Sequence, residues 1–380
     1  MNRSKTLMAA LAVILVVAFV AISCSSPTAT PVPPTSVPPT ATKPAPTATP
    51  AANATPTPVQ AATATSAPTP TAGGPKITLV AADFSPVTHA YATTIEKFAE
   101  LVKQYTNNQV EFKIYHTETL VKGRDMLDAG RKDMADLVAV TMAYYPGDLP
   151  FSPTAGCLPF ALDYAGIRKA MPSFMPIFDQ EFKPLNLKTM WAIPLSIEWF
   201  YRSPVDPSNP DLTGKKIRTG GEPWTTGIQL LGGAPVSMAS SEIPMAIRTG
   251  VLDGYVTSLQ TNDGWDLYKD APYIQVTAGF INFANPWVMN LDKYNSLPKN
   301  VQQAVDKAAA ETQLWATDFS EKDDARLIEK AKTSAKRVDV LTPAQRATWR
   351  AKMQPVYDNF ISKFGDRAKQ VIAVIDAANK

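Results

Sequence analysis

The stretch KITLVAADFSPVTHAYATTIEKFAELVKQYTNNQVEFKIYH, Lys76–His116, decides the fold class. KITLVAAD alternates apolar and polar positions and runs into the turn-like FSPVTH, which reads as a strand and its loop. AYATTIEKFAELVKQYT sets Ile95, Phe98, Ala99, Leu101 and Val102 on one helical face. Asn107-Asn108 then makes a turn, and QVEFKIYH is a second strand. Just downstream, GRDMLDAGRKDM has helical spacing and ADLVAVTM reads as a buried strand. Strand, helix, strand, helix and strand within about 65 residues is the spacing of a parallel α/β lobe.

The pattern returns with different content. LKTMWAIPLSIEWFYRS is strand-rich, GKKIRTG is a short strand, EPWTTGIQLLG a helix and APVSM a strand. SSEIPMAIRTG follows as a helix with Ser240 or Ser241 as its cap, and LDGYVTS as a strand. From LPKNVQQAVDK onward the chain is helical. One helix runs for over thirty residues, and a later one opens at Thr342-Pro343. The expected fold is α/β: a two-lobed, periplasmic-binding-protein-like architecture with a cleft between lobes and long C-terminal helices.

The residues before Lys76 differ in kind. Arg3 and Lys5 precede an apolar run from Thr6 to Ile22, and small Ser23 leads to Cys24. That ending resembles a bacterial lipobox, with Cys24 the lipidated residue; an uncleaved membrane-spanning helix is the alternative reading. Of the 34 prolines, 14 then crowd into the 51 residues of Thr/Pro/Ala-rich Ser25–Pro75, where Lys43 is the only charge and no aromatic occurs. Such a segment has nothing to bury and reads as a disordered, extended stalk. The expected division is 1–24 signal peptide and lipobox and 25–75 linker. The first lobe is 76–199, with about 283–325 returning to it. The second is 200–282, with about 326–380 packing on it. The protein is expected outside the cytoplasm, tethered by lipid to the outer face of the membrane.

Charge and motifs narrow the function. With 37 Lys+Arg against 34 Asp+Glu the chain is near neutral, which gives no electrostatic case for nucleic acid. GKKIRTGG, Gly214–Gly221, is basic and glycine-rich but lacks the spacing and Lys-Ser/Thr ending of a phosphate loop. Neither a G-x-S-x-G elbow nor H-E-x-x-H occurs. Two histidines, His89 and His116, cannot make a histidine-rich metal site, and no cofactor is implied. Arg218 closes a predicted strand, and in open α/β sheets ligands bind beyond strand ends. There a guanidinium can grip a carboxylate with two parallel hydrogen bonds; a plain surface charge is the alternative.

The order of segments resembles the solute receptors of tripartite ATP-independent periplasmic (TRAP) transporters, the dicarboxylate-receptor family. The resemblance runs through FAELVKQYTNNQVEFKIYHTETLVKGRDMLDAGRKDMADLVA, CLPF, DLTGKKIR, LLGGAPVSMASSEIPMAIRTGVLDGYVTS and NPWVMNLDKYNSLPKNVQQAVDKAAAE. It implies that Arg218 clamps a substrate carboxylate, with Arg202 as a second arginine and Thr257 as a pocket residue. It also implies that Thr141 and Tyr144 reach the cleft and that Phe84 and His89 lie at its mouth. Trp199 and Trp224 are expected as walls that exclude water, suiting a carboxylate with an apolar body rather than a small dicarboxylate. The implied partners are a small organic acid, TRAP-type membrane permease subunits and the membrane itself. A receptor feeding an ABC importer or a sensor, and a surface enzyme acting on acidic substrates, are the rival readings.

Overall fold

A computed structural model describes residues 75–380; Cys24, the apolar leader and the linker up to residue 74 lie outside the described residues. In chain order the strands are β1 (Ile77–Ala82), β2 (Val110–Tyr115), β3 (Leu137–Ala139), β4 (Leu187–Ala192), β5 (Leu195–Tyr201), β6 (Lys216–Thr219), β7 (Ala234–Ser237), β8 (Gly254–Ser258), β9 (Tyr273–Val276), β10 (Ile281–Asn282), β11 (Pro286–Asn290) and β12 (Arg337–Val340). They form two sheets. One has the order β2-β1-β3-β11-β4 and the other β12-β9-β5-β8-β6-β7, with β10 on β5. The expected α/β fold with two lobes is what the chain adopts.

The opening strand–helix–strand is as read: β1 pairs parallel with β2 and β3, and helix Ala90–Tyr105 makes the first crossover. The sheet is mixed rather than wholly parallel, because β11 returns from the far part of the chain and runs antiparallel between β3 and β4. Its Trp287 stacks on Trp191, and Trp191 packs on Phe98 of the first helix. These rings fill the first core from three separate stretches of sequence. Helix Tyr164–Phe182 escapes a sequence reading because Pro172 and Pro176 lie inside it. Each proline removes one helical N–H, yet Ile167, Met171, Phe174 and Phe178 still bury on one face. The burial outweighs the two lost bonds.

Two domain limits shift. The whole of β5 belongs to the second sheet, so that sheet begins before residue 200. Helix Gln354–Ala378 packs on helices Tyr164–Phe182 and Ser152–Ala155, which adjoin the first lobe, rather than on the second. Phe360 meets Phe151, and the Tyr357 hydroxyl donates to Pro159 O at 2.8 Å, which fixes that docking. The expected Ser240/Ser241 cap is also replaced. A 3-10 turn spans Ser240–Glu242, Glu242 reaches back to Ala239 N at 2.7 Å, and Ser241 is turned elsewhere. The Thr342-Pro343 start stands, with Thr342 accepting from Gln345 N.

The chain crosses between sheets at Ile193–Pro194, again between β10 and β11, and along helix Lys299–Ser334. That helix has 36 residues, about 54 Å at 1.5 Å per residue, enough to lie along both lobes. Gln313 on it brackets the first crossing, accepting from Ala192 N at 2.8 Å and donating to Ala192 O at 2.9 Å. Two carboxylates are buried nearby. Glu198 accepts from the Ser196 hydroxyl at 2.5 Å and from Thr277 N, and Asp324 accepts from the Tyr164 hydroxyl. Burial pushes Glu198 up to about 8 and Asp324 up to about 7.

Both values are raised, so between about pH 4 and pH 8 the folded chain holds protons that the unfolded chain releases. Stability from these groups is therefore fully present at low pH and is lost as pH rises through the folded values. Thermal unfolding of Glu198→Gln from pH 5 to pH 8 is expected to decline more shallowly than wild type. The difference approaches about 1.4 kcal/mol per pH unit in the limit of one proton. Parallel curves would show that Glu198 is not the titrating group.

Candidate functional site

Arg218 lies on β6, flanked by β7 and β8, and is 4 % exposed. Its guanidinium is held by main-chain carbonyls of the same lobe. Nε and Nη2 donate to Met238 O at 3.0 and 2.8 Å, and Nη1 donates to Val256 O at 3.0 Å. Nη2 also reaches across to the Tyr144 hydroxyl at 3.2 Å. No Asp or Glu pairs with it among the described residues. Burial lowers its pKa, yet a guanidinium stays charged at any working pH. The protein thus keeps a buried positive charge whose partners are all neutral. Of the five N–H groups, the one left over is on Nη1.

Tyr144 arrives from the first lobe on the turn Met142–Tyr144 after β3. Its oxygen accepts from Arg218 and from Ser240 N at 2.9 Å, so its own proton is free to point into the cleft. Gly221 makes this approach possible. Its φ is 144°, and a Cβ there would sit 2.3 Å from Ala143 O. Of the glycines of GKKIRTGG, Gly220 and Gly221 lie against Tyr144 and Ala143 of the first lobe, while Gly214 is a turn residue at φ 76° with nothing packed on it.

The cleft around this pair is small, with a cavity volume of about 60 Å³. Arg218, Tyr144, Thr141, Thr257, Trp224, Phe84 and His89 all line it. Trp224 is braced by Phe280, ring centroids 3.8 Å apart. Two expected residues are elsewhere. Arg202 is exposed beyond the end of β5, its N–H on Asp253 O and its guanidinium by Gly250. Trp199 is fully buried against Trp349 and Tyr201. Both errors have one cause: β5 runs antiparallel to β8, so its first residues, Leu195 and Ile197, meet the cleft and its end points away.

His89 caps helix Ala90–Tyr105, its Nδ1 accepting from Tyr91 N at 3.2 Å. Burial lowers its pKa to about 3, so the ring is neutral at working pH. With Nδ1 occupied as an acceptor, the neutral ring carries its proton on Nε2, which faces Ser258 and Thr261 at 3.5 and 3.4 Å. Such a tautomer cannot take a proton from Ser258, so the group is not a nucleophile–base pair. Asp83 is buried beside the cleft and is turned to His116 Nδ1 at 2.6 Å and Ser85 N at 2.9 Å. That hydrogen bond raises the His116 pKa.

Sequence reasoning missed Tyr91, Ser258, Thr261 and Asn285. Tyr91 is the second residue of the first helix, yet its hydroxyl reaches Val140 O, Thr141 and Asn285. Nothing local announces that contact. Ser258-x-x-Thr261 did carry a signal: a capping serine straight after a predicted strand, which opens helix Leu259–Gly264 at the cleft.

The chain is 25 % identical over 305 residues to the C4-dicarboxylate-binding periplasmic protein DctP of Rhodobacter capsulatus, covering 74 % of this chain and 85 % of that one. Solved structures share the fold. A Bordetella pertussis extracytoplasmic solute receptor binding pyroglutamic acid superposes with TM-score 0.73 at 20 % identity, over 79 % of this chain and 99 % of that one. A TRAP periplasmic solute-binding protein from Chromohalobacter salexigens with bound D-glucuronate gives 0.71 at 20 % identity, over 79 % and 99 %. The sequence pattern of the bacterial extracellular solute-binding proteins, family 7, matches residues 81–169 and 203–363, more than half the chain. This chain belongs to that family.

Proposed function

We propose that the protein is a receptor outside the cytoplasm that captures an organic carboxylate between its lobes and delivers it to a TRAP-type permease. The observation that carries this reading is the buried Arg218 guanidinium, which lines the cleft and has no acidic partner among the described residues. A bound carboxylate supplies the missing negative charge. One oxygen takes the spare Nη1–H of Arg218 and the other the Tyr144 hydroxyl, so the two-pronged grip is shared between lobes. Relatives with bound pyroglutamate and D-glucuronate are consistent with an acid as ligand.

Capture proceeds by closing the lobes. Cross-lobe bonds latch the closed form: Tyr144 to Arg218 and Ser240 N, Ala90 N to Gln260 at 2.8 Å, and the Ser241 hydroxyl to Glu118 at 2.9 Å. Because Tyr144 completes the carboxylate site only when the lobes meet, ligand and closure favour each other. Export and anchoring through Cys24, with the Thr/Pro/Ala segment as a stalk, complete the proposal. The permease would then read the closed surface.

Calorimetric titration of the purified protein against a carboxylic-acid library identifies the ligand. Arg218→Ala is expected to weaken it by about 2–5 kcal/mol and Tyr144→Phe by about 1 kcal/mol. Unchanged affinity in Arg218→Ala would reject the clamp. In stopped flow, Glu118→Ala is expected to raise the ligand off-rate about five-fold with little change in on-rate, since it removes one latch bond. A slower on-rate with an unaltered off-rate would mean the Glu118 contact forms before capture.

A further inference from the structure

Building on the carboxylate reading, we propose that the cleft selects a monoanion. Its single carboxylate meets Arg218, and a neutral oxygen at its other end, a hydroxyl or a carbonyl, accepts the Nε2–H of His89.

The first argument is charge. Arg218 is the one charged side chain among the described residues lining the cleft; the remaining polar groups are hydroxyls, amides and the His89 ring. One carboxylate neutralises the site. A second would be buried with no cation, and a buried unpaired charge costs several kcal/mol. An ammonium group would be equally isolated, because no Asp or Glu lines the cleft among the described residues and Asp83 is committed to His116. Arg124 does not offer a second anchor. It is exposed, 5.1 Å from the Tyr144 ring centroid, donates to Ser237 and does not line the cleft.

The second argument is the direction of one hydrogen bond. Tyr91 N–H donates to His89 Nδ1, so the neutral ring must present Nε2–H. Its neighbours Ser258 Oγ and Thr261 Oγ1 stand at 3.5 and 3.4 Å, beyond the usual 2.7–3.2 Å for N–H···O. Those two hydroxyls are instead engaged with each other at 3.0 Å, and Ser258 also accepts from Thr261 N at 3.1 Å. Nε2–H is therefore a donor under-used by the protein, inside a cleft whose charge comes from Arg218. A donor that is fixed by its own helix cap asks for an acceptor, and a neutral one.

The test is a library built of matched sets, measured by calorimetry on the whole protein. Each set keeps one carboxylate and one carbon skeleton and varies the far end. For the four-carbon set the probes are 4-hydroxybutyrate, succinate, 4-aminobutyrate and butyrate, with larger and cyclic skeletons treated alike. In the set that binds best, the hydroxyl or carbonyl member is expected to bind about ten-fold or more tighter than the other three. A dicarboxylate or amino acid binding best would overturn the inference while leaving Arg218 as the clamp. Binding by no carboxylate at all would reject the carboxylate reading itself and this inference with it.

His89→Asn retains a capping acceptor for the first helix and lacks the ring N–H. It is expected to lose about ten-fold in affinity for the hydroxyl member and to leave the unsubstituted acid unchanged. A variant that weakens both equally would reduce His89 to a structural cap.

Discussion

The structure turns on a buried guanidinium that the protein solvates with its own backbone. Met238 O and Val256 O hold Arg218 in place, and both belong to stretches that β6 and its neighbours bring together. Carbonyl dipoles orient the charge and lower the cost of burying it, but they do not neutralise it. An arginine paired with a carboxylate side chain would be satisfied in the empty protein and would bind no acid. Here the positive charge survives folding, and the cleft is where it is accessible. The same requirement explains the neutral company it keeps: an acidic neighbour would compete with the ligand, and a second cation would raise the cost of burial.

Closure is tied to the same side chain. Tyr144 is the first lobe's contribution to the Arg218 environment, and its oxygen also accepts from the buried amide of Ser240. Gly221 is the geometric condition for that meeting, since any Cβ there collides with Ala143 O. Behind the cleft, two crossings of the chain and the helix Lys299–Ser334 connect the lobes. Glu198 and Asp324 are buried beside them with no basic partner among the described residues, and burial leaves Glu198 mostly and Asp324 about half protonated at neutral pH. The cleft side of the connection is governed by hydrogen bonds across a gap, and the rear side by neutralised carboxyls in a packed interior.

What was legible in the sequence was whatever is local. Period-two and helical patterns identified β1, β2, the first helix and the long helix, and strand-end logic reached Arg218, while Tyr144 and Thr257 came from the family resemblance. The failures are all non-local. Strand direction is not written in a strand: Arg202 and Trp199 are expected at the cleft, but their end of β5, antiparallel to β8, faces away. β11 joins the first sheet from 150 residues beyond β3 because Trp287 and Val288 complete its core, which no window of sequence displays. Helix Tyr164–Phe182 is hidden by its prolines, and helix Gln354–Ala378 takes its place from packing on that hidden helix.

His89 shows how a structural duty can set a chemical one. Read alone, a histidine at a helix start is equally a surface residue or a ligand contact. The cap settles the tautomer: a backbone amide that needs an acceptor claims Nδ1, and the proton must sit on Nε2. Burial then removes the charged form from the working range. The outcome is a rigid neutral donor in a cleft where Arg218 supplies the charge, which differs from what a site for two carboxylates requires. In the proposed reading that difference needs no change at Arg218 itself, whose buried charge serves one carboxylate. What remains around the arginine is neutral and polar: His89, Thr141 and Thr257 line the same cleft, and under the proposal it is they that the rest of the acid has to suit.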